Sequence, residues 1–197
     1  LLYVLFQVAL IVKFIPLKHN SQGFLPQMKT YIAYHKPKGI ICTTEKIPGN
    51  IIDAIQHPQQ LLPIGRLDKN SEGLILLTND KVAINEIIHP NSGKEKEYRV
   101  TVNKPLKNGF LKKLQQGVDI GISTTAPCKA EAEPDTRRIF RIVLTQGLNR
   151  QIRRMCAKFN YHVIKLERVR IASVVCEGIP VGKWRNLSDE EVASLLG

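Results

Sequence analysis

The sequence predicts an α+β fold built on a mixed sheet, and two observations predict it. Short apolar or alternating runs outnumber regular strand–helix–strand units, and several are placed to pair as antiparallel neighbours. Amphipathic stretches with recognisable caps lie between them. A length of 197 residues suits one domain with an appendage, and 43% hydrophobic residues suffice for a core.

The elements follow in order. Leu1 to Val12 is apolar apart from Gln7, and Phe14 to Leu17 continues after Lys13. This run is too short to span a membrane and lacks the basic start of a secretory signal. Residues 1–28 are therefore expected to be an apolar appendage, and residues 29–197 a single domain. Tyr31–Tyr34 and Gly39–Thr43 read as strands around a loop, His35-Lys36-Pro37-Lys38. Asn50 can cap a short helix over Ile51–Gln56, before Pro58. Gly73–Thr78 is a compact apolar strand. Asn79 or Asp80 then caps a helix with Ile84, Ile87 and Ile88 on one face, stopped before Pro90.

Lys96–Val102 alternates, with Tyr98, Val100 and Val102 on one face and Arg99 and Thr101 on the other. Leu106–Gln116 reads as a helix stopped by Gly117. Arg138–Thr145 and Val163–Ile171 read as strands. Ser188 with Glu191 forms a capping box for a last helix carrying Val192, Leu195 and Leu196.

Charge gives the first functional clue. Lys and Arg total 29 against 17 acidic residues, a formal +12, with a pI near 9.7. Such an excess favours a polyanionic partner, usually nucleic acid; charge that only serves solubility is the alternative. With 23% charged residues the chain is no disordered polyelectrolyte. Cys42, Cys128, Cys156 and Cys176 form no CxxC pair and no cluster with histidine, so no metal is expected. Reduced thiols fit a cytoplasmic protein. No glycine-rich phosphate loop or dinucleotide fingerprint is present, and no cofactor is expected.

Three segments carry chemistry: Gly65-Arg66-Leu67-Asp68 with Ser71-Glu72-Gly73-Leu74, Lys96-Glu97-Tyr98, and Gly147-Leu148-Asn149-Arg150-Gln151-Ile152-Arg153-Arg154-Met155. In the third, Asn149 is a good helix cap. Ile152, Met155, Cys156 and Phe159 form a buried stripe, with Arg153 at its edge and Arg150 and Arg154 pointing away. One arginine can thus reach an interior carboxylate while the others face solvent or phosphate; a solvated basic face is the plain alternative. Taken alone, Asp68 is more often a turn or cap residue, and Tyr98 more often core.

Taken together, and joined by Lys36-Pro37-Lys38-Gly39 and Lys165-Leu166-Glu167-Arg168 in the same order, these segments resemble pseudouridine synthases of the ribosomal small-subunit/large-subunit (RsuA-type) branch. Gly178-Ile179-Pro180-Val181-Gly182-Lys183-Trp184-Arg185 adds likeness to its large-subunit synthase F type. The resemblance runs from about Tyr31 to the C-terminus. It implies the pseudouridine synthase catalytic fold, a mixed, largely antiparallel sheet with flanking helices and a central RNA-binding cleft. It implies isomerisation of uridine in ribosomal RNA, with transfer RNA or small-subunit RNA as other substrates and a non-catalytic RNA-binding protein as the competing reading. By the resemblance Asp68 is the catalytic carboxylate, Tyr98 stacks on the uracil, and Arg153 pairs with Asp68. Arg66 lies near the extruded nucleotide and Leu166 lines the uracil pocket. Arg150, Arg154 and Arg168, with Arg137, Arg138 and Arg141, are candidates for phosphate contacts. The branch commonly carries a small S4-type RNA-binding domain, and none is recognisable in residues 1–28. A monomer without membrane association is expected.

Overall fold

The computed structural model describes residues 28–89 and 92–197; the expected appendage, apart from Met28, lies outside the described residues. In chain order the elements are β1 (Tyr31–Lys36), α1 (Ile51–Ile55), β2 (Leu62–Ile64), β3 (Glu72–Thr78), α2 (Lys81–Ile88), β4 (Lys96–Val102), α3 (Phe110–Gln115), β5 (Lys129–Ala132), β6 (Ile139–Leu144), α4 (Gln151–Lys158), β7 (Val163–Ile171), β8 (Val174–Val175), β9 (Trp184–Asn186) and α5 (Asp189–Leu196).

The strands form one sheet in the order β5-β6-β4-β7-β3-β1-β9, with β2 on β3 and β8 on β7. Every pairing is antiparallel except β3 with β7, which meet in parallel at only Glu72↔Glu167 and Gly73↔Arg168. The sheet is therefore two antiparallel halves joined at a two-residue seam. At Leu76, Leu77 and Thr78 the same edge of β3 is taken by β2, so β7 and β3 diverge like a wedge. One apolar cluster runs along a whole face, from Ile32, Tyr34, Ile75 and Leu77 to Val100, Phe140, Ile142 and Met155. A second, with Tyr31, Ala33, Leu74, Leu76, Ile87 and Leu195, covers the other face of the β1–β3 half and reaches the end of β7 at Ile171. Gly73–Thr78 reads as a continuous apolar run because β3 is buried on both faces.

The remaining outer face is polar. Glu97 accepts from Arg141 and Arg170, and Glu133 from Arg99. Arg141 is therefore engaged in a cross-strand ion network, whereas Arg137 and Arg138 remain exposed.

Most predicted elements appear where expected. Asn50 caps α1 through Asp53 N, and Ser188 with Glu191 forms the capping box of α5. Asp80, not Asn79, caps α2, accepting from Val82 N and Ala83 N. Asn79 instead accepts from Thr30 N and donates to Met28 O. Three expectations change. Gly39–Thr43 is no strand; Ile41 makes an isolated bridge to Asn50, while Gly39 N is drawn to Lys69 O. The strand before it runs on through Lys36, because the buried ammonium finds the carbonyls of Pro37 and Ser71. The predicted Leu106–Gln116 helix starts only at Phe110, since Leu106 N is bonded to Arg137 O.

Asp80 also binds Lys29 at 2.7 Å and accepts from Tyr31 Oη at 2.8 Å. Lys29 first, then Tyr31 and the Ala83 amide, hold its carboxyl down at about 2. A carboxyl depressed in the folded state stabilises the fold above its unfolded value near 4 and loses that contribution as pH falls toward 2. Asp80→Asn is expected to cost roughly 2 kcal/mol at pH 7 and to flatten stability between pH 4 and 2. Urea unfolding at a series of pH values measures both; an unchanged acid limb in the variant would refute the assignment.

Candidate active site

The site grows out of the seam. Across the sheet one row reads Ile142, Tyr98, Arg168, Gly73, Lys36, each partnered with the next. Between β2 and β3 the chain must cross this row, and residues 65–71 form the crossing loop. Gly65 turns it at φ 75°. Leu67 plugs into the core, and its amide donates to the Cys42 thiol at 3.4 Å. Ser71 N donates to Asp68 O, closing a turn that lifts the Asp68 side chain out of the sheet.

Two buried cations clamp this loop by its carbonyls. Arg168, 3% exposed, donates Nε to Leu74 O at 2.7 Å and Nη1 to Arg66 O at 3.5 Å. Lys36, fully buried, donates to Ser71 O at 2.7 Å. Burial pushes the Lys36 ammonium below its ordinary range. Neither cation has a carboxylate partner within salt-bridge distance among the described residues, so both add positive potential behind Asp68. Arg168 was expected to contact phosphate from the surface. Only the surface placement is corrected: the guanidinium lies inside, with Nε and Nη1 on backbone carbonyls of β3 and of the loop that carries Asp68.

Opposite the loop stands α4. Ile152, Met155 and Cys156 are buried and Phe159 packs against them, as the stripe predicts. Asn149 does not cap the helix. Arg150 occupies that position in the left-handed region, φ 51° and ψ 33°, with no side-chain cap. Such a conformation is uncommon for a non-glycine residue and concentrates at functional sites. Here it turns Arg150 inward, so that its Nη1 lies 3.8 Å from Asp68 Oδ2. The turn is locked by two glutamines the sequence reading did not single out. Gln151 Oε1 accepts from Leu148 N, and Gln146 Oε1 from Ala126 N and Gln151 Nε2.

Arg153 occupies the stripe's edge as predicted. It donates Nη1 to Val163 O and Nη2 to Asn70 O and Ser71 Oγ. Its Nε is buried without a hydrogen-bond partner among the described residues, 3.9 Å from Asp68 Oδ2. Burial first, then the neighbouring Arg150 charge, pull Arg153 below the ordinary guanidinium range; Asp68 pulls it back. The carboxylate thus faces two guanidiniums, one firmly anchored and one half exposed. A small movement would convert the 3.9 Å ion pair into a charge-assisted hydrogen bond.

Asp68, Tyr98, Arg66, Arg150 and Leu166 line one cavity of about 90 Å³, with Leu144, Ile152 and Ser71. It continues along Arg66, Asp68 and Arg150 into a larger groove of about 260 Å³. Tyr98 is 9% exposed and Leu166 7%, so the cavity has an apolar floor and a charged rim. Arg154 lies outside these walls, bonded to Asn149. Of the predicted residues the structure therefore gathers Asp68, Tyr98, Arg153, Arg66, Arg150 and Leu166, places Arg154 nearby, and takes Arg168 into the interior. The sequence signal that could have exposed Arg168's role is Gly73. A Cβ at Gly73 would meet Arg168 O at 2.3 Å, so the glycine marks a backbone crossing.

The sheet of two halves, with a carboxylate loop at its seam faced by an arginine-bearing helix, is the fold of a pseudouridylate synthase, as superposition on a solved one shows. The family model described as "RNA pseudouridylate synthase" matches residues 30–158, and the chain belongs to that family. It is 49% identical over 166 residues to the dual-specificity RNA pseudouridine synthase RluF of Escherichia coli (strain K12), covering 84% of this chain and 57% of that protein. It is 34% identical to the ribosomal large subunit pseudouridine synthase B of Bacillus subtilis (strain 168), covering 84% of this chain and 70% of that one. A solved structure titled "Crystal structure of pseudouridylate synthase" superposes with a TM-score of 0.79 at 28% identity, covering 85% of this chain and 74% of that one. The chain thus spans little more than half the length of its RluF relatives.

Proposed function

We propose that this chain isomerises uridine to pseudouridine in ribosomal RNA, with large-subunit RNA as the main substrate. One observation carries the reading: Asp68 stands on the rim of an apolar cavity floored by Tyr98 and Leu166, facing Arg150 and Arg153. The reaction breaks the N1–C1′ bond, turns the uracil, joins C5 to C1′ and moves the C5 proton to N1, so atoms balance without a redox partner. The base must leave its stack to reach the cavity, at a cost of a few kcal/mol. Stacking on Tyr98 offsets about 1–3 kcal/mol of this. Asp68 acts as a carboxylate beside the base, and the guanidinium of Arg153 fixes its direction. As carboxylate it can act as nucleophile or as base.

Large-subunit RNA is favoured by the description of the Bacillus subtilis relative. The words "dual-specificity" in the description of the Escherichia coli relative favour a second RNA substrate beside it. On this reading the chain acts as a monomer in the cytoplasm, where four free cysteines stay reduced. Incubation with unmodified ribosomal and transfer RNA, followed by mapping of pseudouridine, tests the proposal. New pseudouridine at a defined position is the expected result; none in either RNA would refute it.

Arg150 sits between the carboxylate and solvent with half its side chain exposed. Arg150→Ala is expected to weaken RNA binding several-fold, to lower the salt dependence by about one charge, and to leave the modified position unchanged. Binding at several salt concentrations, with site mapping, measures this. A moved site would mean that Arg150 reads sequence or shape.

A further inference from the structure

Behind Tyr98, in the wedge where β7 and β3 part, lies a second cavity of about 390 Å³. Ile64, Leu76 and Ile171 give it apolar walls, and Lys96, Tyr98 and Arg168 bring in polar groups. It shares Arg66, Tyr98, Gln146, Gly147 and Leu148 with the Asp68 cavity but not Asp68 itself. Three observations make it an anion site. Among the described residues, Arg168 is 3% exposed and its Nη2 is buried without a hydrogen-bond partner. Among them too, Lys96 bonds only backbone carbonyls, Lys94 O at 3.1 Å and Thr145 O at 3.4 Å. Both cations line this one cavity, and burial first, then the Arg168 charge, lower the Lys96 ammonium below its usual range. Among the cavity's lining residues there is no Asp or Glu. Like charges held together in an apolar setting are stabilised by an oxyanion placed between them, which also supplies the acceptor that Nη2 lacks.

We infer that this second cavity binds a phosphate group on Lys96 and Arg168, with apolar room beside it for an attached base or sugar. Such a phosphate has two sources, the substrate RNA strand next to the extruded uridine or a free mononucleotide. The phosphate site stands independently of the proposed isomerase activity; its use by an RNA strand rests on that reading.

The test uses the full chain as wild type, Lys96→Gln and Lys96→Arg. Thermal midpoints are measured against inorganic phosphate and uridine monophosphate, with chloride at matched ionic strength. The wild type should gain about 4 °C at a tenfold excess over Kd. Lys96→Arg should keep the gain, and Lys96→Gln should lose it. In parallel, RNA affinity is measured against salt. If the strand supplies the phosphate, the log–log slope falls by about one in Lys96→Gln and inorganic phosphate competes with RNA. If the slope is unchanged while the phosphate gain is lost, a free mononucleotide is the ligand. A wild type that phosphate stabilises no more than chloride does, with an unchanged RNA slope, overturns the inference. So does a Lys96→Gln variant that keeps the full phosphate gain. The phosphate arm remains decisive even if no pseudouridine is ever formed.

Discussion

Asp68→Asn is expected to lower turnover at least ~10³-fold, a loss of about 4 kcal/mol or more in transition-state stabilisation. The amide is nearly isosteric, so the loss isolates charge and basicity. The fold should hardly notice. The Asp68 side chain is about one-third exposed, and its two ion pairs, at 3.8 and 3.9 Å, are longer than hydrogen bonds. The loop is held through its backbone carbonyls, which accept from Ser71 N, Gly39 N, Arg168 Nη1 and Lys36 Nζ, and none of these bonds uses the carboxylate. Stability within about 0.5 kcal/mol of wild type is therefore expected, and RNA binding should persist, since Arg66 and Arg150 are untouched. Single-turnover pseudouridine formation by equal amounts of folded wild type and variant decides the matter. Substantial turnover by Asp68→Asn would remove Asp68 from the chemistry and return it to the role of a turn residue.

Much of this was legible in the sequence because it is local. The helical stripe of α4, the alternation of β4 and the caps at Asn50 and Ser188 rest on spacing within a dozen residues, and they appear as read. The short strands β2, β5, β8 and β9 were missed, since two to four residues carry no period. The site divides the same way. Asp68, Tyr98 and Arg153 come from three distant segments, and only the family likeness joined them before the fold did. The burial of Arg168 was not legible, because an arginine in sequence looks like surface charge. Only the seam shows that its partners are carbonyls 94 and 102 residues away. Lys36 was placed in a loop for the same reason. Arg150's inward turn depends on a left-handed backbone that Gln146 and Gln151 enforce from side-chain hydrogen bonds.

The seam itself makes the sharpest structural forecast. Gly73 has φ 99°, where an L side chain is strained. A Cβ there would lie 2.3 Å from Arg168 O and 2.7 Å from Arg168 N. Both are backbone atoms, so no rotamer change relieves the overlap. Relief would require β7 to move away from β3, and those strands meet at only two residue pairs. Strain and overpacking together are expected to make Gly73→Ala cost about 3–5 kcal/mol. Gly147 is the internal control: a Cβ there meets nothing within 4 Å, so Gly147→Ala should change stability by under ~1 kcal/mol. Urea midpoints of the two variants measure the contrast. Activity adds a second readout. Where Gly73→Ala still folds, separating the seam shifts Arg168, which holds Arg66 O, and with it the loop bearing Asp68. Turnover should then fall further than the folded fraction. A variant with wild-type stability would mean that β3 and β7 can part without cost, and the clamp on the Asp68 loop could no longer be traced to their crossing.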